Sequence, residues 1–213
     1  MKKTVKNNSL LILLNCFLFS HLIKKSKDIK KIYNENNFLI VSRLVRHKNI
    51  DLIIKSFNEL NKQDSLDFKL NIIGEGPEYK NIKNLIEKFN LSDSISLIGS
   101  KFGNELEEYY KNSNYFLQLS SYEGMPHSIL EAMNHKLIVI ASKFGGNYEL
   151  IGNNDFGYIV ESLEVDQVKE SIKNAINDKQ NQIIASKGKN LVNQEYNIEL
   201  TTQKYAEVIF KNE

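Results

Sequence analysis

Two glutamates eight residues apart, Glu123 and Glu131, bracket the run Gly124, Met125, Pro126, His127 in SSYEGMPHSILEA. Two cations, Arg43 and Lys48, stand on one short stretch, SRLVRHKN. An Arg fork and a Lys point charge that converge can hold a diphosphate and offset the charge that builds on it when a bond to it breaks. The alternative for the pair is two solvated loop cations. Pro126 fits the first position of a helix, which leaves the amides of His127 and Ser128 as unpaired donors at the positive end of its dipole, beside Gly124 where backbone can come close. With Ile129 as reference at about 100° per residue, Leu130 and Met133 share its side while Glu131 points nearly opposite, away from the sheet-facing stripe. Glu131 then lies roughly 7 Å along the axis from Pro126. A carboxylate there can accept paired hydrogen bonds from two ribose hydroxyls while the helix start faces phosphates, and Glu123 is placed to meet the group beyond those phosphates. The plainer alternative is a surface Glu on a helix and another in a loop.

Two glycine pairs add to this set. In GEGPEY, Gly74 and Gly76 permit a tight turn and close approach to a ligand. The dinucleotide fingerprint GxGxxG is incomplete, because Tyr79 stands at its third glycine. In SKFGGNYELI, Gly145 and Gly146 give a second close-approach turn, and Glu149 opens a helical turn behind it. Each glycine pair can equally serve an ordinary turn.

Alternating elements are needed to bring these residues together. NFLIVS, FKLNIIG, SISLIG, YFLQLS, LIVIAS and FGYIV read as short strands. Between them lie helical patterns, of which NIDLIIKSFNELNK, with apolar Ile50, Ile53, Ile54, Phe57 and Leu60, is the clearest. A further helix is expected to open at Pro77, and two more close the chain, from about Val165 to Asp178 and on to Phe210. Strands alternating with helices predict an α/β, Rossmann-like, doubly wound parallel sheet covered on both faces. Pro77 and Pro126 both fall where a strand has ended, on the carboxyl edge where such sheets bind ligands.

The chain of 213 residues has the size of one domain, expected over 37–213, behind a distinct segment at 1–36. Residues 1–35 hold eight lysines against Asp28 and Glu35, although the whole chain is only +2. Overall charge therefore gives no reason to expect a nucleic-acid partner. The apolar run Leu10–Ile23 is too short for a membrane span, which needs about 20 residues, and no A-x-A cleavage pattern follows it. Three readings stay open for the segment: a monotopic anchor, a helix packed on a partner, or the stub of a larger domain. The one cysteine, Cys16, makes an internal disulfide impossible and suits the cytosol, with the inner face of a membrane as the place an anchor would lead. Scattered histidines and no HExxH or DxD motif argue against a metal site.

The ordered motifs resemble the carboxyl-terminal, nucleotide-sugar-binding lobe of the GT-B glycosyltransferases of family four, the "glycosyl transferases group one" class. SRLVRHKN looks like the family's G/S-R-L-x-x-x-K-G segment, GEGP its G-x-G-P turn, EGMPHSILE its E-x7-E signature, and FGGNYE its G-G-x-x-E segment. The resemblance covers roughly the last four-fifths of the chain. It implies metal-independent sugar transfer from an NDP-sugar, UDP- or GDP-linked, with retention, and no cofactor. Arg43 and Lys48 would stabilise the leaving diphosphate, Glu131 hold the ribose, and Glu123 with the Gly124–His127 backbone orient the sugar. Gly74 and Gly76 would lie near the base, and Gly145, Gly146 and Glu149 support the site. The acceptor would be a glycan or a polyprenyl-linked glycan.

The sequence departs from the family in two ways. Asn49 replaces the glycine after Lys48. Residues 1–36 are too few for the second lobe that binds the acceptor, so a separate acceptor-binding chain is expected. The alternatives are a non-catalytic nucleotide-sugar-binding module or inactive remnant and, on the Rossmann pattern alone, a nicotinamide-dependent oxidoreductase.

Overall fold

In the computed structural model, residues 31–196 are described, except residue 153. Their order is β1 (Asn37–Val41), α1 (Ile50–Asp64), β2 (Lys69–Ile73), α2 (Tyr79–Lys88), β3 (Ile95–Gly99), α3 (Gly103–Asn112) and β4 (Tyr115–Gln118). They continue with α4 (His127–Asn134), β5 (Ile138–Ser142), α5 (Gly146–Ile151), β6 (Gly157–Val160), α6 (Val165–Asn177) and α7 (Asn181–Glu195). All six strands pair in parallel, in the order β3-β2-β1-β4-β5-β6. The expected doubly wound sheet is present.

Successive side chains of a strand point to opposite faces, so burial on both sides requires apolar residues at every position. Phe38, Ile40, Leu70, Ile72, Tyr115, Leu117, Ile138 and Ile140 face one way, against α1, α2 and α6. Leu39, Phe116, Val139 and Ala141 face the other, against α3, α4 and α5. Phe38 lies where three strands meet, paired in register with Leu70 and Tyr115, stacked on Tyr115 at 4.8 Å and edge-on to Phe57 at 4.9 Å. Each such side chain contributes about 1.5–3 kcal/mol by leaving water. That packing ties β1 to β4 at the amino-terminal ends of the two strands.

Those two strands are neighbours from which the chain winds in opposite directions, so a crevice opens between the loops that follow them. Both prolines sit slightly earlier than expected. Helix α2 starts at Tyr79, because a turn closed by Tyr79 N–H on Gly76 O (3.1 Å) comes first. Helix α4 starts at His127, with Pro126 at its cap, and His127 N–H donates to Met125 O at 3.1 Å. One of the two amides expected to be unpaired is therefore taken.

The described residues before β1 lie against the lobe. Tyr33 donates to Lys136 O at 2.7 Å, and Asn114 Nδ2 donates to Ile32 O and Glu35 O. The apolar run Leu10–Ile23, on which the anchor reading rests, lies outside the described residues, as does the chain beyond 196. Among the described residues no helix is long and apolar enough to cross a membrane.

Candidate functional site

The loop from β1 is built to run beside the loop from β2. Leu44 N–H donates to Glu75 O (2.8 Å), and Glu78 N–H returns to Leu44 O (3.0 Å). A Cβ on Gly74 would lie 1.9 Å from Ser42 O, and one on Gly76 2.3 Å from Leu44 O. The glycines expected to let a ligand approach are thus required first by the neighbouring backbone. The β1 loop then closes in a single 3-10 turn, Arg46–Lys48, followed by Asn49 in the left-handed region at φ 51°. Asparagine tolerates that region better than most residues. Its Nδ2 also donates to Leu119 O at 2.6 Å, which ties the β1 loop to the β4 loop and explains how the chain does without a glycine there.

Across the switch point, Lys48 Nζ meets Glu123 Oε2 at 2.5 Å. The two side chains are only 14% and 16% exposed, so removing either would leave a largely buried charge uncompensated. Ser120 Oγ (3.0 Å) and Gln118 Nε2 (3.3 Å) donate to the same oxygen. Gln118 also donates to Asn147 Oδ1 (3.0 Å) and accepts from Ser128 Oγ (2.7 Å). Asn147 Nδ2 donates to Ser142 Oγ (3.1 Å), whose own proton goes to Ser120 O (2.6 Å). The Glu123 loop is held from below by β4, β5, α4 and α5.

Gly145 and Gly146 pack on the back of that loop. Gly146 N–H donates to Glu123 O at 3.2 Å. A Cβ would come within 2.1 Å of Glu123 O from Gly145, which has φ +58°, and within 1.8 Å of Gly124 O from Gly146. At Gly124 itself a Cβ would meet no atom within 4 Å. The first two glycines are demanded by packing, whereas Gly124 is exposed, with open space where a Cβ would stand.

The remaining expected residues divide. Arg43 is exposed on the same loop as Lys48, and no described residue holds its guanidinium. Met125 and His127 lie between the two glutamates, and burial lowers the His127 pKa, with Glu123 acting in the opposite direction. Glu131 is off the buried stripe of α4, as its position on the helix predicts. Its carboxylate nevertheless does not point freely into solvent, since Oε2 accepts from Tyr110 Oη of α3 at 2.8 Å. Burial raises the Glu131 pKa and the Tyr110 hydrogen bond lowers it. A helical wheel knows nothing of a neighbouring helix, which is why that contact was not foreseen. Glu149 sits inside α5 and is exposed, outside the Glu123 network.

Sequence reasoning missed Tyr110, Gln118, Ser120, Ser142 and Asn147. Gln118 left a signal, being a polar side chain in an otherwise apolar strand. Among the described residues no three His, Cys, Asp or Glu side chains gather as metal ligands.

Comparison with known proteins bears on this arrangement. A family profile described as Glycosyl transferases group 1 matches residues 23–191. An uncharacterised glycosyltransferase of Haemophilus influenzae is 26% identical over 189 residues, covering 88% of this chain and 52% of that protein. The poly(ribitol-phosphate) alpha-N-acetylglucosaminyltransferase of Staphylococcus aureus is 28% identical over 197 residues, covering 90% of this chain and 38% of its own length. A crystal structure of S. aureus TarM, as a mutant in complex with fondaparinux, alpha-GlcNAc-glycerol and UDP, matches with a TM-score of 0.79 at 26% identity, over 88% of this chain and 38% of that one. The chain thus spans about half the length, or less, of these curated relatives. With well over half of the chain matched by the profile, and a fold shared with GT-B glycosyltransferase structures, the chain belongs to the glycosyl transferases group 1 family.

Proposed function

We propose that this chain is the donor-binding part of a retaining glycosyltransferase, moving a hexosyl or N-acetylhexosaminyl group from a UDP- or GDP-linked sugar to a glycan or polyprenyl-linked acceptor. The acceptor is held by a further lobe or a separate chain, and the reaction runs on the cytoplasmic side of a membrane that residues 1–36 touch peripherally. The observation that carries the reading is the cation of the β1 loop held against the carboxylate of the β4 loop at the sheet's switch point.

An ammonium has three donors, so Lys48 spends one on Glu123 and keeps two for a diphosphate. As the bond between the anomeric carbon and the leaving oxygen breaks, its electron pair moves onto the diphosphate, where Lys48 and Arg43 offset the new charge. Glu131 accepts from the ribose hydroxyls. Glu123, with the backbone of Gly124, Met125, Pro126 and His127, orients the sugar. Gly74 and Gly76 shape the turn near the base, while Gly145 and Gly146 back the Glu123 loop and Glu149, exposed on α5, stands outside it. Support comes from the UDP in the TarM complex and from the N-acetylglucosaminyl transfer named for the Staphylococcus relative.

Calorimetric titration of the chain with UDP, GDP and their sugars tests this directly. Micromolar binding is expected, weakened about tenfold or more in Glu131→Ala and Arg43→Ala, as for lost hydrogen bonds to charged groups. A folded wild-type chain that binds none of these ligands overturns the proposal.

A further inference from the structure

Tyr110 belongs to α3 and reaches the candidate site through its hydrogen bond to Glu131. Its ring, 1% exposed, is fixed between Phe116 of β4 (centroids 6.1 Å apart) and His135 (5.3 Å, 16° between planes). His135 is fixed as well, with Nδ1 2.8 Å from Glu131 O. At the end of α3, Lys31 Nζ donates to Tyr110 O (2.9 Å) and to Ser113 O, so the helix end that carries the ring is also held. The phenol stays protonated, because burial and the nearby Glu131 raise its pKa well above the usual value. Its proton has one destination, Glu131 Oε2 at 2.8 Å.

A carboxylate on a flexible stem turns freely about its last torsion, and a ligand that binds it must stop that motion. Here one oxygen is already held by a group locked in place by packing. Glu131 keeps Oε1, which accepts no hydrogen bond from a described residue, and a second lone pair on Oε2. Two adjacent hydroxyls of a ribose match two such acceptors.

We propose that Tyr110 is a positioning residue for the donor: by holding Glu131 Oε2 it presents the carboxylate to the vicinal diol of the nucleotide's ribose, and so makes the site select ribonucleotides over their deoxy analogues. The inference rests on the reading of Glu131 given under Proposed function.

The test compares affinities for UDP and 2′,3′-dideoxy-UDP in the full chain, in Tyr110→Phe, in Glu131→Ala and in the double variant. The wild type is expected to prefer UDP by about tenfold or more. Tyr110→Phe keeps the stacked ring, removes the hydroxyl, and is expected to cut that preference about fivefold while affinity for the dideoxy compound holds. In the Glu131→Ala background it should have no further effect, the sign of two residues acting as one. A tyrosine that only stabilised packing would lower the melting temperature and weaken both ligands alike, and that result, or an unaltered preference, overturns the role. A preference that survives Glu131→Ala instead overturns the assignment of Glu131 to the ribose. Absence of UDP binding to the wild type removes both. If Tyr110→Phe does not fold, Glu131→Asp draws the carboxylate a methylene short of the hydroxyl, and an unchanged preference there overturns the proposal.

Discussion

Burial raises the Glu131 carboxyl above its ordinary range, against the hydrogen bond from Tyr110. A group with a raised folded-state pKa contributes stability that is fully present below its unfolded pKa and lost as pH rises through the folded one. At neutral pH the charged form of Glu131 is therefore a cost to the fold. Glu131→Gln removes that charge and keeps an oxygen for Tyr110 to bond. It is expected to melt higher than wild type at pH 7, with the difference shrinking toward pH 4, although it binds UDP less well. Melts at the two pH values check this, and a variant less stable than wild type at pH 7 contradicts it. Such an exchange of stability for a placed charge is common at functional sites. At this scale the sequence was legible in placement: Arg43 and Lys48 fall in the loop after β1, Glu123 in the loop before α4 and Glu131 within α4, as their patterns predict. It was not legible where the chemistry depends on a partner from another element. Tyr110 lies 21 positions from Glu131, and nothing local marks either as the other's partner.

The glycines show how elements, rather than residues, hold the site. Gly146 sits where the start of α5 presses on the Glu123 loop, so Gly146→Ala would force a methyl into Gly124 O and Pro126. The loop must move. A loss of about 1–3 kcal/mol is expected, as for other overpacked positions, together with loss of UDP-sugar binding. Gly124→Ala makes the opposite prediction, because its methyl would enter open space in the free protein. Its melting temperature should match wild type while UDP-sugar affinity falls, since the methyl occupies room kept for the ligand. Equal behaviour of the two variants in both measurements would show that Gly124 serves packing alone. The strands and the order of the motifs were readable from period and punctuation, because a strand buried on both faces cannot hide its apolar run. The helix starts were less so. Pro77 and Pro126 each precede a helix, but whether a proline caps a helix or opens it depends on the turn before it, and that turn is set by the neighbouring loop.

For the whole molecule, binding a donor and transferring its sugar are separable tasks. All the groups assigned to the donor in the proposal come from loops and helices that follow strands of one sheet, so the lobe is expected to bind a nucleotide by itself. Transfer needs more. Placing an acceptor hydroxyl against the anomeric carbon in a water-poor site supplies roughly 7–11 kcal/mol of the barrier, which is the task proposed for a further lobe or separate chain. Ligand binding stabilises by mass action, so UDP at 100 times its dissociation constant adds about 2.7 kcal/mol, or about 5–10 °C in melting temperature for a chain of this size. The chain by itself is expected to show that thermal shift, cut to about half or less in Glu131→Ala, with no transfer from radiolabelled UDP-sugar to added acceptors. Transfer is expected to start when an acceptor-binding lobe is supplied. Multiple turnovers by the 213-residue chain without one would show that the donor edge also positions the acceptor, and would place both halves of the reaction in this lobe.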